Sequence, residues 1–212
     1  MKLSLKILEN NQTIQTEILK ALLSDCDKYM ERAIGTIKQQ LPSIVFSAIS
    51  NRQEYTSLVT GKLRLEFGIP DAASKISQII QIWTSNIQYN YKKPSMSSVG
   101  IKSSFSANLI KSDFTDVLGA DAALVQDNIR GYSLPWLEWL LLEGNRTIIP
   151  TQSVVIGPNP RSRTGMAIMR ESTQGWNVPS EFAGTINDNW ITRAIDDAAQ
   201  DVNNLLNRAL RT

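Results

Sequence analysis

Apolar residues recur every three or four positions through the first part of the chain. Between residues 11 and 41 the steps are of four, with a single step of three: Ile14, Ile18, Leu22, Cys26, Met30, Ile34, Ile37 and Leu41. This spacing predicts a long amphipathic helix. Because proline clashes with the preceding turn of a helix, we expect a kink or restart at Pro42, which favours a helical hairpin continuing through residue 49.

Two further segments before residue 84 are predicted to be helical. Residues 71–83 place three isoleucines and Trp83 on one side of a helix. Residues 51–67 have less regular spacing but still favour helix up to Gly68.

The pattern changes from helical to alternating near the middle of the chain. Tyr89 and Tyr91 alternate with polar residues, and a second run alternates apolar residues with Lys102 and its polar neighbours. Such alternation predicts two strands of a sheet with one face in solvent. Residues 147–156 and 165–169 predict two more strands.

Between these strand pairs lies a segment, residues 133–142, that is apolar on every side except at Glu138. It predicts a short helix capped by Ser133. A helix that is apolar all round must be buried, either centrally in the domain or partly by a neighbouring subunit. Trp136 and Trp139 are therefore candidate subunit-interface residues.

The C-terminal part has the most regular pattern. Thr185 is a suitable N-cap, and one apolar stripe then runs to Ala209. Three acidic residues lie off this stripe: Asp196, Asp197 and Asp201. We expect the helix to pack on the sheet through its stripe, and these aspartates to take part in subunit contacts.

Together the elements predict an α+β fold. It has long N-terminal helices, a small, mostly antiparallel central sheet and a long C-terminal helix packed on that sheet. We predict a single α+β domain over residues 1–212, with a helical region at residues 1–83 and the sheet and C-terminal helix at residues 84–212.

Composition removes most catalytic chemistry. The chain has 212 residues, no histidine and one cysteine, Cys26. This excludes Ser-His-Asp triads, Cys-His dyads, histidine zinc sites, internal disulfides and cysteine metal clusters. We predict that the protein is not an enzyme and carries no cofactor or metal, and that Cys26 is a small buried hydrophobe.

Two further features bear on location. No segment reaches the roughly 18 to 20 consecutive apolar residues of a membrane-spanning helix. Residues 1–10 lack the apolar run and cleavage site of a signal peptide. We expect a protein that is made in a reducing cytoplasm and has no membrane partner.

The formal net charge is only +2, but the charges are segregated along the chain. Residues 84–112 hold four lysines and no acid, residues 113–129 four aspartates and no base, and residues 145–170 four arginines and no acid. Such segregation can steer identical subunits head to tail, because a basic face on one copy meets an acidic face on the next. Solvated loops of varying charge are the alternative interpretation.

The segment Gly-Pro-Asn-Pro-Arg-Ser-Arg-Thr-Gly at residues 157–165, which we call the arginine loop, separates two predicted strands. Two prolines stiffen it, and Arg161 and Arg163 project from it, which suits bidentate contacts with carboxylates of a neighbouring subunit. It lacks the G-K-[ST] of a phosphate-binding loop. An ordinary hairpin loop is the alternative.

Three segments of the C-terminal half carry a resemblance to a known group of proteins. They are LPWLEWLLLEG at residues 134–144, VVIGPNPRSRTGMAIM at residues 154–169, and WNVPSEFAGT at residues 176–185 before a long helix. Over about 80 residues, from Leu134 to Thr212, the chain resembles small virion proteins from the neck and tail-completion group of tailed bacteriophages, of the head-tail connector or tail-terminator type.

The resemblance implies a non-enzymatic subunit of an oligomeric ring at the neck or the head-proximal end of the tail. Its partners would be copies of itself and neighbouring neck, connector or tail proteins, with passing contact with genomic DNA. It would reside in the virion after synthesis in the host cytoplasm.

The alternatives are another assembly or adaptor protein, or a weak nucleic-acid-binding module. Tyr89, Tyr91 and Phe105 interleave with lysines as in a base-stacking platform. Alternation, however, puts these rings on the face opposite Lys102.

Overall fold

The computed structural model of the chain describes residues 10–97, 100–109, 113–127 and 131–211. These residues form eight α-helices and six β-strands, and every strand pair is antiparallel. The predicted α+β class is confirmed. Lys111, one of the four lysines in the acid-free segment, lies outside the described residues. So do residues 1–9, which belong to the segment that we expect not to be a signal peptide.

Helix α1 spans Asn11–Ser50 without a break, although Pro42 lies inside it. The predicted helical hairpin at Pro42 is therefore wrong. Proline costs the helix one backbone hydrogen bond, but its fixed φ is close to the helical value. Buried residues continue at the same spacing on both sides of the proline: Ile37, Leu41, Val45 and Ile49, all at most 6% exposed. Packing along this face stabilises the continuous helix.

The remaining helices are short. They are α2 (Gln53–Val59), α3 (Lys62–Phe67), α4 (Ala72–Ser85), α5 (Thr115–Leu118), α6 (Trp136–Leu142), α7 (Trp190–Asp197) and α8 (Ala199–Ala209). A 3-10 turn, Asp121–Ala123, follows α5. Gly68 ends α3 in the left-handed conformation, with a φ of 65° that suits glycine best.

The six strands form three separate two-stranded sheets, where the sequence pattern predicts one central sheet. The strands are β1 (Gln88–Ser97), β2 (Gly100–Asn108), β3 (Val125–Asp127), β4 (Tyr132–Leu134), β5 (Gln152–Ile156) and β6 (Ala167–Glu171). Each sheet is a hairpin of strands adjacent in sequence. Alternation predicts that a strand has a wet face, but it does not say which strand it pairs with.

Two predicted helix caps are wrong. Ser133 lies in β4, where its hydroxyl hydrogen-bonds Gln126, and Pro135 precedes α6 instead. Thr185 and Asp188 close a turn through their backbones, and the N-cap of α7 is Asn189. The Asn189 side chain accepts hydrogen bonds from the backbone of Ile191 and Thr192 in a capping box.

The C-terminal stripe is carried by two helices, which meet at Ala198. Trp190 is fully buried, and its indole nitrogen donates a hydrogen bond to the carbonyl of Ile49 on α1, 3.1 Å away. The stripe residues Ile195, Val202 and Leu206 are only half-buried. The anchoring contact of this region is therefore made by helix α1.

The chain divides into two compact units. One holds Met1–Gln40, Gln88–Asn108 and Asn204–Thr212, and the other holds Leu41–Ile87 and Leu109–Asn203. The second unit contains most of the fully buried large side chains, among them Phe67, Trp83 and Trp136. The single domain over residues 1–212 stays a prediction.

Candidate functional site

The arginine loop is held by its own backbone. Gly157 N donates to Met166 O and Asn159 N to Gly165 O, both at 2.8 Å, so the loop closes directly on the β5–β6 hairpin. The Ser162 hydroxyl accepts from the backbone of Thr164 and Ala167 at 3.3 and 3.2 Å. The loop is therefore preorganised, as its two prolines predict.

The two arginines of this loop have different surroundings. The guanidinium of Arg163 lies against Gly68, where an added Cβ would be 3.0 Å from its nitrogens, and Arg163 Nη1 is 3.9 Å from Asp127 Oδ2. Arg161 is exposed, and its side chain forms no hydrogen bond or ion pair with any residue that the structure describes. Arg161 is therefore the better candidate for contact with another molecule.

The three candidate aspartates also differ. Asp197 is paired within the chain, because its Oδ2 lies 2.6 Å from Arg52 Nη1. Asp196 is exposed and interacts within the chain. Asp201 is exposed in the first turn of α8 and has no ion pair among the described residues. Asp201 is the acid most available to a partner.

Asp197 belongs to a network of charges that sequence analysis missed. Its centre is Glu54, whose side chain is 4% exposed and lies between two guanidiniums. Arg52 Nε is 3.5 Å from Glu54 Oε2, and Arg193 Nη2 is 3.2 Å from Glu54 Oε1. Arg193 Nε is also 3.6 Å from Asp188 Oδ1. A carboxylate this deep is tolerable only when paired.

The pKa of Arg52 reflects this environment. Burial lowers it, but the hydrogen bond to Asp197 and the charges of Glu54 and Asp197 outweigh burial, so the pKa is raised above its ordinary value. Arg52 is therefore a permanent cation at any working pH. The network joins the α1–α2 connection to α7, and its role within the chain is structural.

An open cleft of about 470 Å³ borders this network. Its charged lining residues are two arginines and four acids: Arg52, Arg193, Glu54, Glu181, Asp197 and Asp201. Four of these six belong to the ion-pair network itself. The cleft is therefore the solvent-facing side of the salt-bridge network.

The prediction that Trp136 lies at a subunit interface is wrong. Its side chain has no exposed surface, and its indole nitrogen donates to the carbonyl of Ala122 at 2.9 Å. Its ring lies 5.9 Å from Phe67, centroid to centroid. A fully buried side chain offers no surface to a partner.

Trp139 is half-buried and packs edge-on against Trp176, with ring centroids 5.8 Å apart. Trp176 in turn donates to Glu66 Oε2 at 3.0 Å. Burial raises the pKa of Glu66, while this hydrogen bond and Lys62 act in the opposite direction. Trp139 thus retains some surface for a partner, and its role at an interface stays a prediction.

The β1–β2 hairpin presents a second surface, and its solvent-facing side is the one that the alternation in the sequence predicts. Its inner face carries Tyr89, Tyr91 and Phe105, and the rings of Tyr89 and Phe105 stack with centroids 6.3 Å apart. The outer face is polar and free of acids: Gln88, Asn90, Lys92, Ser95, Lys102, Ser104, Ser106 and Asn108. The alternation of Lys102, Ser104, Ser106 and Asn108 with apolar residues is the sequence signal that predicts this face.

Within the residues that the structure describes, no three potential metal-ligating side chains come together. In the same residues, no helix is both long and apolar enough to cross a lipid bilayer. Comparison with known proteins adds no relative: no family model, no curated protein and no solved structure matches this chain.

Proposed function

We propose that this protein is a structural subunit without enzymatic activity in a tailed-phage virion, where it forms part of an oligomeric ring at the neck or the head-proximal end of the tail. The proposal starts from the resemblance of residues 134–212 to neck and tail-completion proteins. Neighbouring neck, connector or tail proteins are its other expected partners.

The observation that carries the proposal is the state of Arg161. It stands on a loop whose backbone is fixed by hydrogen bonds, yet its guanidinium has no partner among the described residues. Fixing a loop in advance lowers the cost of ordering it on association. We therefore infer that Arg161 is available for contact with another subunit, because no described residue pairs with its guanidinium.

Asp201 is an acidic residue that could pair with Arg161 of a neighbouring copy. It is exposed and without an ion pair in the described part of the chain, in contrast to Asp197. A basic surface that meets a different, acidic surface on the next copy makes a heterologous contact. Repeated heterologous contacts close into a ring when the rotation between copies allows it.

The test is the mass of the purified protein, alone and mixed with the products of neighbouring genes. Native mass spectrometry should give one discrete multiple of the 23.7 kDa chain, and negative-stain images should show closed rings. A chain that stays monomeric alone and binds one neighbour in equal numbers would instead be an adaptor and would contradict the proposal.

Location is tested separately. Mass spectrometry of purified virions should find the protein in a fixed copy number, and virions assembled without it should lack a completed neck or tail. Intact, infectious virions formed without the protein would rule out the structural role.

A further inference from the structure

We propose that the outer face of the β1–β2 hairpin binds the sugar-phosphate backbone of duplex DNA without sequence preference. This inference goes beyond assembly: it rests on the hairpin alone and does not require that the protein forms a ring. It concerns residues 88–97 and 100–108 of the first compact unit.

The hairpin has two faces of different character. Tyr91 and Phe105 are directly opposite in the register, and so are Lys92 and Ser104. The register shifts between Lys92 and Ser95, which leaves Lys93 in a bulge. Consecutive lysines are thereby separated: Lys93 reaches helix α1, whereas Lys92 stays on the outer face.

Residues of the inner face form hydrogen bonds and ion pairs with the nearby acidic residues of α1. The Tyr91 hydroxyl donates to Asp27 Oδ1 at 2.7 Å, and Lys93 Nζ lies 3.1 Å from Asp27 Oδ2 and 3.5 Å from Glu31 Oε1. The carboxylates of Asp27 and Glu31 on α1 are thus engaged on the side away from Lys92 and Lys102. These contacts also fix the hairpin against α1, within the same unit.

The outer face is left with donors and no acid. Lys92 and Lys102 are exposed and form no ion pair with a described residue. The other outer residues are serines, asparagines and a glutamine, which together with lysine are the side-chain types that contact phosphate and sugar oxygens of DNA. A ribbon of this kind, about 30 Å long at roughly 3.3 Å per residue, can follow the backbone of a duplex.

The same face argues against other nucleic-acid modes. Single-stranded binding relies on aromatic rings that stack on bases, and here Tyr89, Tyr91 and Phe105 are turned to the inner face. The described outer face also lacks the arginine that most often reads guanine through two hydrogen bonds. Binding to the phosphate backbone is what remains, and it is insensitive to sequence.

The experiment measures fluorescence anisotropy of a labelled 30-base-pair duplex of mixed sequence with the full chain, between 50 and 200 mM KCl. Each phosphate neutralised by a lysine adds about 0.9 to the slope of log affinity against log salt. The double variant Lys92→Gln with Lys102→Gln should lower that slope by about 1.8 and weaken binding about tenfold or more at 50 mM KCl.

Lys93→Gln is the matched control, because Lys93 is adjacent in sequence but lies on the inner face, paired with Asp27. It should leave the slope and the affinity unchanged. Ser106→Lys adds a charge to the outer face and should raise the slope by about 0.9. This gain keeps the test informative if the double variant does not fold, which circular dichroism monitors.

Equal effects of Lys93→Gln and of the double variant would overturn the inference. So would a wild-type chain without salt-dependent duplex binding, tighter binding to single-stranded DNA, or tighter binding to polyglutamate than to the duplex at equal charge, which would indicate an acidic protein surface as partner. Oligomer mass is measured on the same samples, so that a failure of DNA binding can be distinguished from a failure of the proposed ring to form.

Discussion

Asp197 and Arg52 form an ion pair within the chain, with Oδ2 and Nη1 2.6 Å apart. Arg52 also contacts Glu54, so an acid predicted to face a neighbouring subunit instead closes a network on its own subunit. This pairing decides which variants will report on folding and which on assembly.

The buried member of that network should dominate its contribution to stability. Glu54→Ala would leave the guanidiniums of Arg52 and Arg193 without their shared partner, and we expect a loss of about 3–5 kcal/mol in the free energy of unfolding. Asp197 is 64% exposed, and Asp197→Ala should cost at most about 1 kcal/mol. Urea denaturation of the two variants measures both losses.

Equal losses for the Glu54 and Asp197 variants would mean that the exposed end of the network contributes as much as its buried centre.

Two adjacent leucines of α8 should respond very differently to truncation. Leu205 is 1% exposed, whereas Leu206 is half-buried. We expect Leu205→Ala to cost about 2–5 kcal/mol and Leu206→Ala clearly less. Chemical denaturation of the two variants side by side checks the order, and a larger loss for Leu206→Ala would mean that the helix is rotated relative to the structure.

Two glycines provide a similar pair. At Gly184 an added Cβ would lie 2.5 Å from the Asn189 Cβ and 2.8 Å from the carbonyl oxygen of Leu140, so Gly184→Ala should cost about 3 kcal/mol. At Gly35 in α1 a Cβ would meet nothing within 4 Å. Because alanine favours helix over glycine, Gly35→Ala should stabilise by about 0.5–1 kcal/mol.

Thermal midpoints measure both glycine variants. A tolerated alanine at Gly184 would show that the contact between the residue 184 backbone and α6 is looser than described.

Stability should depend on pH through Asp27. The hydrogen bond from Tyr91 lowers the pKa of Asp27, and the hydrogen bond and charge of Lys93 lower it further. Since the folded-state pKa lies below the ordinary value of about 4, the contribution of Asp27 is present above that value. It is lost as the pH falls through the lowered folded-state pKa.

Asp27→Asn keeps an acceptor for the Tyr91 hydroxyl but removes the charge. The difference between the thermal midpoints of the wild type and this variant should therefore be constant near neutral pH. It should become smaller as the pH falls below about 4. Thermal scans from pH 2 to 7 test this expectation. A difference that persists unchanged at the lowest pH would show that the charge of Asp27 is not what stabilises this contact.

The sequence predicts much of the local structure because periodicity is a local property. The long N-terminal helix, the β1–β2 and β5–β6 strands and the wet outer side of the hairpin all follow from the spacing of apolar residues. The helix passes through Pro42 because burial at Leu41 and Val45 outweighs one lost hydrogen bond, and no local rule includes that packing term.

The candidate interface residues illustrate the same limit. Trp136 and Trp139 look equivalent in the sequence, yet one is fully buried and the other is not. Asp197 and Asp201 share one helical face by spacing, but only Asp197 meets Arg52, which lies 145 positions away along the chain. An ion pair between residues far apart in the sequence does not show in the spacing of residues along the chain. Only the structure therefore distinguishes the charges that are paired within the chain from those that are not.

We assign Arg161 to assembly, and the most direct test of this assignment compares oligomer mass for Arg161→Glu and Arg146→Glu. Arg146 is the matched control, since it is 74% exposed and pairs with Glu143 at 2.9 Å within its own chain. By native mass spectrometry, the wild type and Arg146→Glu should form the same closed oligomer, while Arg161→Glu should remain folded, with an unchanged thermal midpoint, and dissociate. An intact oligomer with Arg161→Glu, or a wild type that is monomeric alone and with its neighbours, would contradict the account.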